Sequence, residues 1–503
     1  MEEFRNNCIT AYGLDPLHSY TAPGLAWQAM LKETKCRLQL LTDIDMVLMV
    51  ESGIRGGLTQ SVKRHVTANN KYLPNYDAGK ESIYLGYFDA NNLYGWAMSN
   101  PLPYADFKWV DPSTLDDICN IPKDGGTGYI VEFDFEYPEQ LHDHHYDLPL
   151  LARSEIPPEG KYPKLMMTLE SKERYVAHFW VFKQAIKLGL KITRIHRVLQ
   201  FSQSCWLSPY IEYNTKRRAA ATSAFEKDFF KLMNNAIFGK TLENKRKHKN
   251  VKLVTTQKQL DKLVKQPNFE TSIIINNNLV AVCMKKSKII MDRPLYVGMS
   301  ILDISKTLMY DFHYNKMVNF YGRENIGISY MDTDAYIYWI KTEDMYKDLQ
   351  MFPYSDDFDF SDYPPEHPTY DNGKNKKVLG KFKDETNGDP PQEVISLMSK
   401  LYALQVYKGG ACNNQVIKKA KGIKKMYLKK MLNFNNFKQC LYNDETIIAK
   451  FNTIRSFNHQ LYSITEVKKA LHSNDNKRYI LPDKINTLPF GHYSLQNITE
   501  REV

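Results

Sequence analysis

Asp332 and Asp334 stand two residues apart in Tyr330-Met331-Asp332-Thr333-Asp334-Ala335-Tyr336-Ile337-Tyr338-Trp339-Ile340. Two carboxylates this close repel one another unless a cation lies between them. Asp oxygens, with water and substrate phosphates completing the shell, are the usual way of holding Mg²⁺. An exposed acidic turn has the same pattern, so the metal reading needs a further carboxylate. The apolar run at residues 82–88 supplies one, ending in Asp89-Ala90-Asn91-Asn92-Leu93-Tyr94-Gly95. A carboxylate that closes a core strand, followed by a turn with free backbone N–H groups, can hold a metal together with its triphosphate. The competing reading, an Asp that merely caps the next turn, is common.

The elements that must position these groups follow from the surrounding pattern. β-branched and aromatic residues flank Asp-Thr-Asp, which predicts a hairpin of strands 326–330 and 336–340. Residues 82–88 read as a buried strand. Residues 212–238 read as one long amphipathic helix, with Phe225, Phe229, Leu232, Met233 and Ala236 on its apolar stripe. Lys216, Arg217, Arg218, Lys227 and Lys231 lie off that stripe, and Gly239 is the expected C-cap. Such cations can neutralise a phosphate chain, although a charge run is more often a solvated face.

Residues 26–41 and 42–50 read as helices, followed by a flexible cationic turn at 53–57 (Gly-Ile-Arg-Gly-Gly). A mixed α/β region covers 96–205. In it, residues 129–137 alternate as a strand whose Glu132, Asp134 and Glu136 share a wet face. His142-Asp143-His144-His145 lacks the i,i+4 spacing of a helical ligand pair and is not read as a metal site. Residues 250–295 read as short strands, 299–320 as a helix and 356–368 as an acidic, Pro-rich surface loop. Asn244–Lys249 and the seven lysines of residues 418–430 are candidate surfaces for nucleic-acid backbone.

Composition narrows the class. The 503 residues allow several domains, and 43% apolar content builds cores. A formal charge of +10 and 33 tyrosines suit a protein that holds phosphates and stacks on bases. The seven cysteines (8, 36, 119, 205, 283, 412 and 440) are scattered singly, without zinc spacing. No apolar run reaches membrane length and no signal peptide is evident, so a soluble, intracellular protein without a membrane partner is expected.

Taken in order, these elements resemble family B DNA polymerases. Asp89 to Tyr94 is similar to motif A (Dxx(S/N)LY). Lys231-Leu232-Met233-Asn234-Asn235-Ala236-Ile237-Phe238-Gly239 is similar to motif B (KxxxNSxYG), and Tyr330 to Ala335 to motif C (YxDTDS). Ser399-Lys400-Leu401-Tyr402 resembles the KxY motif, and Gly56-Gly57 the YxGG motif. The long gaps between motifs are similar to the two insertions of the protein-primed branch, the organellar and viral type B. Asn91-Asn92-Leu93-Tyr94-Gly95-Trp96-Ala97-Met98, Phe238-Gly239-Lys240-Thr241 and Gly380-Lys381-Phe382-Lys383-Asp384-Glu385 look like its Maverick/Polinton group. Ile54, Ala236, Phe238 and Ala335 depart from the motifs; none of them is a metal ligand.

The resemblance implies an α+β right hand: a palm of antiparallel sheet plus helices, fingers, a thumb and two protein-priming insertions. Residues 1–80 would be the remnant after an exonuclease domain and the linker to the palm, 81–100 palm with motif A, and 101–205 the first insertion. Residues 206–243 would be fingers, 244–296 the second insertion, 297–398 palm with motif C and 399–503 thumb. The exonuclease module is expected upstream of this chain.

It implies template-directed DNA synthesis with two Mg²⁺ ions (or Mn²⁺) on Asp89, Asp332 and Asp334. Lys231, Asn235, Asn92, Leu93, Tyr94, Arg217 and Arg218 would bind the nucleotide. Gly56, Gly57, Phe238, Gly239, Tyr330, Thr333, Lys400, Tyr402, Lys418 and Lys421 would bind DNA. The implied partners are primer–template DNA, dNTPs and a terminal protein, with the enzyme a monomer, nuclear in a eukaryotic element or virus. The rival readings are an inactive or domesticated remnant that only binds DNA, and a metal-dependent nuclease. The nuclease would need a separate acidic cluster, which the sequence does not offer.

Overall fold

The computed structural model describes residues 2–114, 118–371, 373–409, 414–457 and 460–499. Cys412 lies outside them, and no disulfide joins the described cysteines.

Alternating β-branched and aromatic residues on both sides of Asp-Thr-Asp form the strands Ile326–Asp332 and Ala335–Lys341. They are the inner strands of a six-stranded sheet ordered Thr59–Ser61, Ile326–Asp332, Ala335–Lys341, Ile83–Ala90, Phe382–Asp384, Phe358–Asp359. All neighbours are antiparallel except the last pair. Both faces of the central strands are buried, as their near-continuous apolar sequence requires.

The sheet meets the C-terminal end of the helix Leu295–Tyr310 and the turn after it, where Tyr336 donates to Met309 O at 3.1 Å and Tyr338 stacks on His313; Tyr296, Val297, Met299, Ile301 and Ile304 of this helix are all 0% exposed. The helix is buried on nearly every side, its polar Ser300, Asp303, Ser305 and Thr307 included, as in a helix enclosed by core. It runs on through a widened π-type turn at Asp311–Val318 to Tyr321, so the expected 299–320 helix starts four residues earlier.

A second sheet, ordered Asn414–Ala420, Leu401–Tyr407, Pro391–Met398, His65–Thr67, adjoins the first. A third sheet is ordered Leu102–Val110, Lys191–Ser204, Thr127–Glu136, Lys172–His178. A three-stranded sheet is ordered Asn250–Val254, Leu279–Met284, Phe269–Asn276. A long two-stranded ribbon, Ile447–Phe457 with Gln460–Leu471, stands near the C-terminus. The architecture is therefore mixed α+β with antiparallel sheets, as expected.

Several local expectations change. Residues 212–238 are two helices, Ser208–Ala220 and Ala224–Thr241, parted where Ala221 turns extended and the Ser223 hydroxyl caps the second by accepting from Glu226 N at 3.0 Å. Gly239 is inside the second helix, not its cap; Thr241 extends it by donating to the Phe238 carbonyl at 2.7 Å. The helices read at 26–41 and 42–50 are Ala22–Thr34 and Ile44–Gly53.

The face carrying Glu132, Asp134 and Glu136 is not simply wet. Glu132 is buried between Arg197, which donates at 2.6 Å, and Arg174, while Asp134 meets His196 at 2.7 Å. The acidic stretch at 356–368 is not a surface loop alone. It contributes an edge strand to the main sheet and buries Phe358, Phe360 and Tyr363.

Candidate functional site

The hairpin turn is only two residues long. Asp332 pairs with Ala335, leaving Thr333 and Asp334 to close it, with Thr333 left-handed at φ 60°. Thr333 N donates to Leu58 O at 2.6 Å, holding the turn against the preceding chain. Gly57 makes that approach possible: a Cβ there would lie 2.3 Å from Thr333 Oγ1. A Cβ at Gly56 would meet nothing within 4 Å among the described residues. Arg55, expected on a flexible turn, is buried instead, 3.8 Å over the Tyr175 ring and donating to Val176 O at 2.7 Å.

Register brings Asp89 to the same place. Asp89 lies directly opposite Ala335 on one side and Lys383 on the other, and Ala90 N donates to Asp334 O at 2.7 Å. Asp89 and Asp334 are recessed, and both carboxyls titrate well above the usual carboxylate range. For each the main cause is burial, followed by the charge of neighbouring carboxylates: Asp334 and Glu385 around Asp89, Asp332 and Glu385 around Asp334. Asp332 is ion-paired to Lys400.

Among the described residues no closed set of three His, Cys, Asp or Glu ligands is formed. The two recessed carboxylates make an open site of hard oxygen donors instead. Their mutual repulsion is what a divalent cation would relieve, so the donor chemistry fits Mg²⁺.

Lys400 and Tyr402 are tied to the hairpin by aromatic and polar contacts. Lys400 is left-handed (φ 61°), and its N–H donates to Tyr330 Oη at 2.8 Å. The Tyr402 ring lies 4.5 Å from that of Tyr330, and its hydroxyl meets that of Tyr87 at 2.9 Å.

Two clefts open on either side of the Asp89–Asp334 pair and share Asp89, Tyr94 and Asp334. The first, of about 760 Å³, is lined by Asp332, Thr333, Ala335, Lys400 and Tyr402 and by Lys418, Lys419, Lys421 and Lys425. Lys418 also donates to Leu432 O. The second, of about 580 Å³, is lined by Asn92, Leu93, Arg218, Lys231, Asn235, Asp359, Asp362, Lys377, Lys383 and Glu385.

Asn92 is left-handed (φ 42°) and its side chain caps the helix Leu93–Met98 by accepting from Gly95 N at 3.3 Å. Tyr94, between the clefts, stacks on Phe238 with ring centroids 4.5 Å apart. Lys231 and Arg218 reach the second cleft from separate helices. A buried chain of hydrogen bonds joins those helices: Tyr12 Oη to Asn214 Oδ1 at 2.5 Å and Asn214 Nδ2 to Asn234 Oδ1 at 2.8 Å.

Of the expected residues, the structure thus gathers Asp89, Asp332, Asp334, Asn92, Leu93, Tyr94, Lys231, Asn235, Arg218, Thr333, Lys400, Tyr402, Lys418 and Lys421 around two adjoining clefts. Tyr330, Phe238 and Gly57 stand behind as supports. Arg217 does not line either cleft; its guanidinium lies 5.4 Å over the Tyr213 ring. A Cβ added at Gly56 or Gly239 would have open space among the described residues.

Lys377, Lys383, Asp359, Asp362 and Glu385 received no site role from sequence. The alternation in Lys381-Phe382-Lys383-Asp384-Glu385 carried the signal: Phe382 and Asp384 are buried, so Lys383 and Glu385 must face the other way.

No protein-family model matches the chain, and no curated protein sequence does. Solved structures of Phi29 DNA polymerase do match. Its ternary complex with primer-template DNA and incoming nucleotide substrates superposes with a TM-score of 0.57 at 17% identity, over 90% of this chain and 68% of that one. Its post-translocation binary complex with primer-template DNA gives 0.54 at 17% identity, over 92% and 69%. The complex with single-stranded DNA gives the same values, and together they show that the chain has the Phi29 DNA polymerase fold.

Proposed function

We propose that this chain is a DNA-directed DNA polymerase that transfers dNMP from a dNTP to a primer 3′-hydroxyl. The observation that carries the reading is the position of Asp89 and Asp334: two recessed carboxylates shared by two adjoining clefts, each of which also carries lysines. A cleft on each side of one charged pair is what a reaction between a strand end and a separate triphosphate requires.

The new bond joins the primer 3′-oxygen to the α-phosphorus. The bond from that phosphorus to the α–β bridging oxygen breaks, pyrophosphate leaves with the electron pair, and the hydroxyl proton passes to solvent. Two Mg²⁺ ions, or Mn²⁺, held by Asp89 and Asp334 with Asp332 nearby, would supply charge neutralisation and lower the pKa of the attacking hydroxyl.

The chain's own residues orient the reactants. Lys231 and Arg218 bind phosphate oxygens in the second cleft, beside the wall made by Asn92 and Leu93. Tyr94, held against Phe238, lies at the sugar's position and leaves no room for a 2′-hydroxyl. Lys400 and Tyr402 hold the primer end, and the lysines at 418–425 take the duplex backbone without reading sequence.

The finer identity, a protein-primed enzyme of the Maverick/Polinton kind working with a terminal protein, is supported by motif order. The separate sheets within residues 101–205 and 244–296, where such insertions are expected, support it too.

Single-nucleotide extension of a labelled primer–template, native chain against Asp334→Ala, tests the reading. Extension by the native chain that falls to background in the variant is the expected result. Duplex binding without extension by the native chain would favour a DNA-binding remnant, the reading that Ala335 beside Asp89 supports.

A further inference from the structure

The second cleft, lined by Arg218 and Lys231, is also lined by Asp359, Asp362, Lys377, Lys383 and Glu385, whose placement is particular. Lys383 is directly opposite Asp89 in an antiparallel pair, so both side chains leave the sheet on the same face. Its neighbours fix that orientation: Phe382 stacks on Phe312 at 3.5 Å, and Asp384 is buried beneath the Tyr363 hydroxyl at 2.8 Å. The Lys383 ammonium then meets Asp362 at 2.7 Å, with the lysine side chain 26% exposed and that of Asp362 48% exposed. The segment is clamped to the turn after Asp89, because Asp359 accepts from Asn91 Nδ2 at 2.7 Å and from Lys377 N at 2.9 Å.

We propose that Lys383 binds the polyphosphate tail of the incoming nucleotide, and that Asp362 is the resting partner from which the tail takes it. This rests on the polymerase reading and adds to it a cation from the sheet, in the cleft that Arg218 and Lys231 also line. The exchange is physically easy. An ammonium is a compact point charge that needs no fixed fork geometry, so it changes partner without rearrangement. A half-exposed ion pair is worth little, whereas a tail with several charges in a narrow cleft attracts the cation strongly. Lys383 also offsets the carboxylates around Asp89, so an anionic tail enters a cleft less acidic than its carboxylates alone would make it.

The test is dNTP-dependent extension and direct dNTP binding by the native chain, Lys383→Met, Lys383→Arg and Asp362→Asn. Lys383→Met keeps length and removes charge. The expected result is a KM about tenfold higher with kcat near native, the size of one lost charge-assisted hydrogen bond. Lys383→Arg should recover most of the loss, and Asp362→Asn should lower KM. Inhibition by inorganic tripolyphosphate should weaken by the same factor in Lys383→Met, a change that a merely structural role in the sheet would not produce. Native extension with an unchanged KM in Lys383→Met, or a fall in kcat alone, overturns the proposal and leaves the polymerase reading standing. A native chain that neither extends nor binds dNTP overturns both. An unchanged KM in Asp362→Asn overturns the role of Asp362.

Discussion

Two neighbouring arginines with one sequence environment have different surroundings. Arg218 lines the second cleft, whereas Arg217 lies over Tyr213 on another side of the same helix. Arg218→Ala is therefore expected to raise the KM for dNTP about tenfold, the value of one charge-assisted contact. Arg217→Ala should leave it within about twofold, which steady-state extension assays would show. Gly57 makes a second residue-level case. Any Cβ there would press on Thr333 at 2.3 Å, and Thr333 closes the turn that carries Asp332 and Asp334. Gly57→Ala should cost about a hundredfold in extension, because a displacement of about 1 Å at reacting groups has that effect. Its thermal midpoint should change little, since the clash falls on a half-exposed turn and not on the core. A variant as active as the native chain would show that the turn can shift without moving its carboxylates.

The elements that carry the site were legible to different degrees, for physical reasons. The acidic hairpin and the strand ending in Asp89 were readable because buried strands leave an unbroken β-branched and aromatic record. The break between the helices Ser208–Ala220 and Ala224–Thr241 was not, because both halves keep a helical period and only Ser223, a capping residue, marks the gap. That break puts Arg218 and Lys231, which line the same cleft, on separate helices. The role of Lys383 was hidden because its opposite number, Asp89, is nearly three hundred residues away and only register joins them. What replaces a continuous helix is the buried chain from Tyr12 through Asn214 to Asn234. Asn234→Ala strips a partner from Asn214, which is 0% exposed and has no water to turn to. The expected cost is about 1–3 kcal/mol of stability, read from thermal or urea unfolding. Loss of the fixed angle between the helices should raise the KM for dNTP in the same variant. A loss of stability with native KM would mean that each helix is held in place without the other.

At the scale of the whole molecule, distant parts of the chain are locked together by buried polar groups, and these set its response to acid. Arg478, near the C-terminus, is fully enclosed and donates to Gln60 Oε1 at 3.0 Å, Tyr146 O at 2.7 Å and Thr487 Oγ1 at 2.7 Å. His178 joins the sheet of residues 102–204 to the central helix. Its backbone N–H donates to Asp303 Oδ2 at 2.9 Å, while its ring Nδ1 accepts from Trp180 N at 3.4 Å and caps the helix Phe179–Lys187. Its Nε2 has no hydrogen-bond partner among the described residues, and the residue is 0% exposed. Burial, then the nearby charge of Lys123, pushes its pKa down to about 3. In the unfolded chain the same imidazole titrates near ~6.5. Between these two values the unfolded state binds the extra proton, so acid favours unfolding by about 1.4 kcal/mol per pH unit below about pH 6.5. His145, which meets Tyr137 Oη at 2.8 Å, is pushed down to about 3 by burial and carries the same sign. His178→Asn keeps an acceptor for the capped N–H but cannot titrate. Thermal melts at about pH 7.5 and about pH 5 should show the native chain losing roughly 2 kcal/mol more than the variant on acidification. Equal losses in both would mean that the ring is reached by solvent and protonates without unfolding, so that His178 is not a closed joint between the sheet and the helix.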